Sequence, residues 1–283
     1  MKNLHNEINQ AQNITGLSTQ EASFLATLAE QEQTIFHFQD ALAFWQDAAV
    51  ARRALSRLAQ GGWLKRIERG LYLLIPLNAG PQRQWSENAL VIASHLLTPS
   101  AIAYWSALHY WQFTEQIPQT IFIQSPRRKA KPALVANGVR YRFIYVQPAH
   151  FFGLAEQPLD HHTIRVTDRE KSLIDAADRP DLCGGIEQLV EILRGHWAEI
   201  DWRKLDADLE RYNAGAVYKR LGYLLETLGL PVPDREMWLA RWQARLSTGI
   251  ALLEPEAGKT GHTLRRWRIR DNVGIFSNQT KAS

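Results

Sequence analysis

The sequence predicts an α+β protein, with a small N-terminal domain followed by a larger mixed α/β domain. Near the N-terminus, apolar residues recur at helical spacing in short segments. A glycine-bounded hairpin of two short apolar runs follows them, over residues 61–76. Beyond residue 81, helical and strand-like segments are mixed, and at 283 residues the chain exceeds one typical small domain. We therefore predict two domains, over residues 1–80 and 81–283.

The first helix is predicted to begin at Ser18. The tetrapeptide Ser18-Thr19-Gln20-Glu21 has the capping-box form, in which the Ser18 side chain caps the helix and Glu21 reaches back to the Ser18 backbone. Apolar residues then form the inward stripe of the helix, at Phe24, Leu25, Leu28 and Ala29. A short extended segment over residues 35–38 is expected to follow.

A second and a third helix are predicted, with a tight turn between them at Trp45-Gln46. Asp40 is the expected N-cap of the second helix, which runs through Phe44. Asp47 is the expected N-cap of the third helix, and the Gly61-Gly62 pair ends it. At about 100° per residue, its apolar residues fall on one face, at Ala51, Ala54, Leu55 and Leu58. Its polar residues fall on the opposite face, at Arg52, Arg53, Ser56, Arg57 and Gln60.

The polar face of the third helix carries the side-chain groups that DNA-binding helices use to contact DNA. Guanidinium, hydroxyl and amide groups reach phosphate oxygens or the edges of guanine and adenine, and arginine can do so with two hydrogen bonds at once. The alternative is that these arginines only solvate an amphipathic helix. The helix alone does not decide between the two interpretations.

The hairpin after the third helix favours the DNA-binding interpretation. Residues 63–67 and 71–75 are strand-like runs joined by Glu68-Arg69-Gly70, and Gly70 can adopt the positive φ that a tight hairpin often needs. A wing would contact the sugar-phosphate backbone or the minor groove at this turn. Three basic residues sit in or beside the turn, namely Lys65, Arg66 and Arg69. Three helices followed by such a hairpin predict a winged helix-turn-helix domain.

Positive charge is concentrated in this winged segment. Residues 47–75 contain six basic and two acidic residues, so their net charge equals the +4 of the whole chain. The rest of the chain therefore sums to about zero. This placement of charge fits an acidic polymer as the partner of the N-terminal domain.

The second domain is predicted to combine several helices with a few strands. Residues 78–81, Asn-Ala-Gly-Pro, are the expected linker that precedes it. Helices are predicted over residues 87–97, 100–110, 168–178, 185–194, 201–211, 216–228 and 234–246. Strands are predicted over residues 120–124, 139–146 and 264–270, the last of which alternates basic and apolar residues.

Two basic clusters in the second domain form a candidate secondary basic surface. The first is a loop between Pro126 and Pro132 that carries Arg127, Arg128, Lys129 and Lys131. The second is the alternating segment that carries Arg265, Arg266 and Arg268. They could supply further phosphate contacts or dock an acidic partner protein. They could equally be a solvated turn and an edge strand protected by charge.

Composition excludes several classes of protein. Cys183 is the only cysteine, which excludes an internal disulfide and a cysteine-based zinc cluster and suits a reducing cytoplasm. Residues 1–20 are polar and show no secretory-signal pattern. The most apolar stretch, residues 89–111, is interrupted by serine, histidine and proline residues, so it is not a bilayer span. We therefore expect a cytoplasmic protein.

Two clusters invite an enzymatic interpretation, Asp160-His161-His162 and Asp168-Arg169-Glu170-Lys171. A metal-dependent nuclease of this kind requires an acid-x-Lys motif whose two side chains lie on one face of a strand. Arg169 occupies the position of the acid, so the motif does not match. The second cluster is better explained as a helix start, with Thr167 as the cap and Glu170 three residues on. We expect no catalytic residue, no metal site and no cofactor, so the prediction is a protein that is not an enzyme.

The chain resembles AbiEi-type antitoxins, the DNA-binding half of bacterial type IV toxin-antitoxin (abortive infection) modules. The resemblance extends from about Ser18 to Leu253 and rests on four segments in order. They are ALSRLAQGGWLKRIERGLYLLIP, TPSAIAYWSALHYWQFTEQIPQTIFIQSPRR, TDREKSLIDAADRPDLCGGIEQLVEIL and AVYKRLGYLLETLGL.

The resemblance implies a transcriptional repressor that binds operator repeats upstream of its own operon through the N-terminal domain. It also implies a C-terminal domain that neutralises a cognate nucleotidyltransferase-like toxin. The residues at the matching winged-helix positions are Arg52, Arg53, Ser56, Arg57, Lys65, Arg66 and Arg69. Two alternatives stay open: an interaction module that binds the toxin directly without operator recognition, and a metal-dependent nuclease.

Overall fold

The computed structural model describes residues 16–76, 79–80 and 85–275. The chain divides into two compact units. The first unit contains the described residues up to Leu96, together with the short segments 135–139 and 159–162. The second unit contains the remaining described residues. Of the predicted linker, Asn78 and Pro81 lie outside the described residues.

The first unit begins with three helices and a three-stranded antiparallel sheet. Their bounds are α1 Thr19–Glu30, β1 Ile35–His37, α2 Phe38–Trp45, α3 Ala48–Gln60, β2 Leu64–Glu68 and β3 Leu71–Leu74. Strand β3 lies between β1 and β2 and pairs with both. This order of elements is that of a winged helix-turn-helix domain, in which β2 and β3 form the wing. A further helix, α4, spans Ala89–Leu96.

Capping sets the ends of α1 and α3 as predicted. Ser18 and Glu21 form the capping box of α1. The Asp47 carboxylate accepts hydrogen bonds from the Ala49 and Val50 N–H groups, at 2.7 and 2.9 Å, and thereby caps α3. The glycine pair ends α3, with its second member at a φ of 73°.

Helix α2 starts earlier than predicted. His37 is its N-cap residue, and the Asp40 carboxylate accepts a hydrogen bond from the His37 backbone N–H at 2.7 Å. Asp40 therefore acts from inside the first turn rather than ahead of the helix. Trp45 still belongs to the helix, and Gln46 alone makes the turn, with a φ of 56°.

One hydrophobic core holds α3 in place within the first unit. The apolar face of α3 shares this core with Phe24 of α1 and Phe36 of β1, whose rings lie edge-on at 5.4 Å. Burial of a large apolar side chain contributes about 1.5–3 kcal/mol, so the polar face of α3 is directed outward. Leu28 of the predicted α1 stripe is buried, whereas Leu25 and Ala29 are not.

The second part of the chain contains a mixed sheet. Its strands are β4 Ala101–Ile102, β5 Thr120–Ser125, β6 Ala133–Ala136, β7 Val139–Tyr145, β8 Leu154–Leu159 and β9 His162–Thr167. They form one six-stranded sheet in the order β6-β7-β5-β4-β9-β8. Strand β5 pairs parallel with β7, and β4 pairs antiparallel with β5 and parallel with β9. A short helix, α5, spans Trp105–Tyr110.

Helices and a small sheet complete the second unit. The helices are α6 Arg169–Asp178, α7 Ile186–His196, α8 Trp202–Tyr212, α9 Gly215–Leu228 and α10 Arg235–Gln243. The small sheet has the order β10-β12-β11, from β10 Ala251–Leu252, β11 His262–Leu264 and β12 Ile269–Asp271. Helix α9 is central to the core, because every residue from Val217 to Leu225 is buried. The predicted α+β class is thereby confirmed.

Three predictions for the second unit are wrong in detail. Residues 100–104 are not helical, because β4 pairs with Gln124 and Ile123 of β5 before α5 begins. Asp168 rather than Thr167 caps α6, since its carboxylate accepts the Lys171 N–H at 2.9 Å. The predicted strand over residues 264–270 is instead a turn, with β11 ending at its start and β12 beginning at its end.

No helix in the described part of the chain combines the length and the apolar character that a membrane crossing requires. Within the same residues, no cluster of three or more histidine, cysteine, aspartate or glutamate side chains could hold a metal ion.

Candidate nucleic-acid interface

Helix α3 presents two chemically distinct faces. Ala51, Ala54, Leu55 and Leu58 are buried, as the helical periodicity predicts. The opposite face is exposed along the helix and carries Arg52, Arg53, Ser56, Arg57 and Gln60. The polar groups are therefore available to a ligand in solvent, while the apolar groups fix the orientation of the helix.

The wing is a short hairpin with an irregular strand. Arg69 and Gly70 form its turn, since Glu68 is paired directly with Leu71. Gly70 has a φ of 80°, a conformation that side-chain-bearing residues rarely adopt. The register shifts between Arg66 and Glu68, which is a β-bulge, and bulges increase strand twist and redirect side chains.

A single open groove of about 950 Å³ separates α3 from the wing. Its α3 side includes Arg52, Ser56 and Gln60. Its wing side includes Arg66 and Arg69. Five of the eight predicted DNA-binding residues thus line one concave surface, and three of the five are arginines.

Three predicted DNA-binding residues do not line this groove. Arg53 and Lys65 are exposed. Arg57 lies on the side of α3 that faces α1, and its Nε donates a hydrogen bond to the Glu21 Oε1 at 2.9 Å. The Arg57 side chain is nevertheless 65% exposed. The groove and Arg57 are therefore separate parts of the predicted surface.

Sequence reasoning missed the residues of α2 and the sheet that line the groove. The Phe38 ring lies under the guanidinium carbon of Arg52, at 5.4 Å from the ring centroid. Such a contact holds the guanidinium in place while its edge stays accessible. His37, Gln39 and Tyr72 also line the groove. The sequence signal that could have identified this side of the groove is Gln39, an exposed polar residue at the start of α2.

The Glu21 carboxylate is ionised in the folded domain. Burial raises the pKa of Glu21, but hydrogen bonds from the Ser18 backbone, the Ser18 hydroxyl and Arg57 outweigh burial and lower the pKa below its ordinary value. The pKa of Asp47 is also lowered, chiefly by the hydrogen bond from the Val50 N–H. Glu21 and Asp47 therefore carry charge at neutral pH, but the charge of each is committed to backbone N–H groups or to an arginine.

The predicted basic loop lies beside aromatic residues of β7. The Arg128 guanidinium carbon lies 4.1 Å from the centroid of the half-exposed Tyr145 ring, and Lys129 Nζ lies 4.6 Å from that of Phe143. Arg127 donates to the Thr98 carbonyl at 3.1 Å. Lys131 is exposed.

The basic surface of this region is larger than predicted. Two further arginines of β7, Arg140 and Arg142, are exposed and were not predicted as part of it. Residues 127–142 contain six basic and no acidic residues. The alternation of arginine with apolar residues in β7 was the sequence signal that would have identified these two side chains.

The second predicted basic cluster is partly committed to contacts within the chain. Arg266 forms an ion pair with Glu226 at 2.8 Å. Arg268 donates to the Ser247 carbonyl at 3.1 Å. Arg265 is exposed in the turn. This cluster is therefore a weaker candidate for a binding surface than the basic loop.

The two clusters that suggested catalysis have structural roles. Asp168 caps α6, and both Asp168 and Glu170 form ion pairs with Lys204, at 2.9 and 3.1 Å. Lys171 is fully buried and forms an ion pair with Asp175. The histidines of the Asp160-His161-His162 cluster also lie beside acidic residues. His161 contacts Glu32, and His162 lies near Glu87.

Comparisons with known proteins agree with this architecture. A family model described as "Transcriptional regulator, AbiEi antitoxin" matches residues 23–75, from within α1 to just beyond β3. A solved structure, described as "Crystal structure of RV2827C protein from Mycobacterium tuberculosis", is 20% identical, with a TM-score of 0.61 over 94% of this chain and 96% of that chain. At that identity the likeness shows the fold alone. No curated protein matches the chain. The winged segment, residues 23–75, is therefore similar to the AbiEi antitoxin family of transcriptional regulators.

Proposed function

We propose that this chain is a sequence-specific DNA-binding repressor that regulates its own toxin-antitoxin operon and counteracts a cognate nucleotidyltransferase-like toxin. The observation that supports DNA binding most strongly is the groove in which Arg52, Ser56 and Gln60 of α3 face Arg66 and Arg69 of the wing. The regulator and antitoxin role is that of the family whose model matches residues 23–75.

In this proposal α3 lies in the major groove of duplex DNA. At about 100° per residue, Arg53 and Gln60 lie near the middle of its exposed face, where side chains reach base edges. Arg52 and the wing arginines lie at one side of that face, where they meet the sugar-phosphate backbone or the adjacent minor groove. The wing and the helix therefore hold the duplex from two directions.

The proposal predicts how the affinity for DNA depends on salt concentration. If about five phosphates are neutralised by this domain, the logarithm of the affinity falls with the logarithm of salt concentration with a slope of roughly −4 to −5. Binding to random DNA shares this electrostatic component. Preference for the operator depends on base contacts, which salt affects less.

We assign DNA recognition to residues 1–80 and antitoxin activity to residues 81–283. The basic loop with Arg127, Arg128, Lys129 and Lys131 is proposed to add phosphate contacts along the bound DNA. No residue is assigned a catalytic role, and no cofactor or metal is required. A regulator of this kind acts in the cytoplasm, where its operator is.

A gel-shift experiment on the DNA upstream of the operon tests the proposal. Arg52→Ala with Arg53→Ala is expected to lose operator binding by 100-fold or more, because two guanidinium contacts worth about 1–3 kcal/mol each are removed. A matched control removes two exposed arginines of α7 and α8, through Arg194→Ala with Arg203→Ala. Unchanged operator binding by the Arg52→Ala, Arg53→Ala variant would contradict the assignment of α3 as the recognition helix.

A second candidate function is an interaction module that binds the toxin directly without operator recognition. The acid-free basic segment 127–142 favours it, because a charged surface of one sign suits an acidic protein partner. This candidate predicts co-purification with the neighbouring gene product together with no salt-sensitive affinity for DNA. The gel shift and the co-purification therefore separate the two functions.

A further inference from the structure

We propose that Glu21 is a specificity-determining residue, which positions Arg57 to read a guanine in the bound operator. This inference rests on the proposed function and extends it. It assigns a role to a buried acid of α1, on a helix that lies outside the groove of α3 and the wing.

The Glu21 side chain is only 3% exposed and is held by three hydrogen bonds. Its Oε2 accepts both the backbone N–H and the hydroxyl of Ser18, each at 2.8 Å. Its Oε1 accepts the Nε–H of Arg57 at 2.9 Å. Because the capping box fixes the carboxylate, the carboxylate in turn fixes the plane of the guanidinium group.

Arg57 is thereby presented in one orientation. The bond to Glu21 uses Nε and leaves the two terminal nitrogens, Nη1 and Nη2, for another acceptor. The side chain is 65% exposed, so these nitrogens reach solvent. Arg57 lies five residues after Arg52, or about 140° around the helix, and it therefore belongs to the side of α3 away from the wing.

Charge distinguishes a base contact from a phosphate contact. Arg57 and Glu21 together carry no net charge, so the pair contributes little to the release of counterions that drives phosphate binding. The fork of Nη1 and Nη2 remains suited to the O6 and N7 acceptors of guanine. Prior fixation of the side chain also reduces the entropy lost when DNA binds. These points favour guanine as the acceptor.

Binding of operator and random duplexes by three variants of the 283-residue chain tests the inference. Arg57→Gln is expected to lose about 10-fold or more in operator affinity, and Glu21→Gln about 3- to 10-fold. Glutamine also completes a capping box, so Glu21→Gln keeps the cap of α1. The double variant keeps the net charge of the wild type. It is expected to bind operator no more weakly than Arg57→Gln, because the two residues act as one unit.

Glu30→Gln is the matched control, since it removes an exposed acid from the same helix. It is expected to change neither the operator affinity nor the random-DNA affinity. Random-DNA affinity of the double variant is expected to stay within twofold of wild type. Replacement of each G·C pair of the operator in turn should identify one pair whose loss removes the difference between wild type and Arg57→Gln. That readout depends on base recognition and would not follow from a purely structural role.

Three results would overturn the inference. Wild-type operator affinity in Glu21→Gln would show that Glu21 does not position Arg57. Equal losses on operator and random DNA in the double variant would make Arg57 a phosphate contact. A wild-type protein with no preference for the operator would remove the proposed function and this inference together, whereas a selective wild type with unaffected variants would remove the inference alone.

Discussion

The arginines of the winged domain differ in how firmly each one is held. Arg52 lies over the Phe38 ring, and Arg57 is bonded to Glu21. Arg69 lies in the turn of the wing, next to a glycine with positive φ. A side chain that is already ordered loses less entropy on binding. Arg52 and Arg57 are therefore held in place before DNA binds, which suits Arg57 to a selective contact, whereas Arg69 is suited to a non-selective contact with the backbone.

Arg69→Ala is expected to weaken binding to operator and random DNA by similar factors, because a phosphate contact carries no sequence information. The salt slope should become less negative by about one, as expected when one phosphate contact is lost. Fluorescence anisotropy of both duplexes across a range of salt concentrations measures this. A loss confined to the operator would instead make Arg69 a base contact.

The residues of the polar face of α3 could be predicted because helical periodicity fixes which side chains face outward. Arg52, Ser56 and Gln60 lie on the groove as that reasoning requires. The pairing of Arg57 with Glu21 could not be predicted, because it depends on how α1 crosses α3 and not on spacing along the chain. Arg140 and Arg142 differ in this respect, because the alternation of β7 is a local pattern that does predict their exposure.

Among the elements, the helices were predictable and most of the short strands were not. Helices α8 and α9 lie within a residue or so of the prediction, because each shows a full helical stripe and a clear cap or stop. Strand β4 has two residues and forms only because β5 and β9, far along the chain, supply partners. Pairing of that kind leaves no local pattern in the sequence.

The close contact between α9 and the segment before β12 predicts a large effect of one methyl group. A Cβ added at Gly222 would lie 2.0 Å from the buried Trp267 ring. Gly222→Ala is therefore expected to destabilise the protein by about 1–3 kcal/mol or more, as overpacking of a core does. Gly195→Ala is the control, because nothing lies within 4 Å of that position. Urea unfolding should show the control at or above wild-type stability, since alanine favours the helix.

The buried ion pair of α6 gives a second prediction about the stability of a single element. Lys171 and Asp175 are one helical turn apart, and both are buried. Lys171→Met is expected to cost about 3–5 kcal/mol, because it leaves an unpaired buried carboxylate. Lys171→Met combined with Asp175→Leu should recover most of that loss. Equal destabilisation by the single and double variants, measured by urea unfolding, would show that the pair does not act as one unit.

At the scale of the whole molecule, positive charge is concentrated in two segments of the sequence besides the cluster of Arg265, Arg266 and Arg268. One is the winged segment 47–75 and the other is the acid-free segment 127–142. A protein whose net charge is only +4 therefore presents two strongly basic regions. Two such segments suit a regulator that contacts DNA with both of them, or one that contacts DNA with the first and an acidic partner with the second.

Arg127→Ala combined with Arg128→Ala is expected to lower affinity for operator and random DNA alike. The salt slope should become less negative by about one to two, if both side chains contact phosphates as proposed. Arg265→Ala, in the other predicted basic cluster, is the matched control and should leave the slope unchanged. An unaltered slope in the double variant would assign the basic loop to a partner other than DNA.

Site-directed cross-linking tests the central claim most directly. The natural Cys183 is buried, and burial raises the pKa of its thiol, so a thiol-directed photocross-linker will react with a cysteine introduced in the groove, as Ser56→Cys. We predict that the reagent at position 56 cross-links to the upstream DNA and that unlabelled operator competes this product away more effectively than random DNA. Absence of that product while Lys129→Cys cross-links efficiently would contradict the account, because it would place the DNA on the second unit and away from α3.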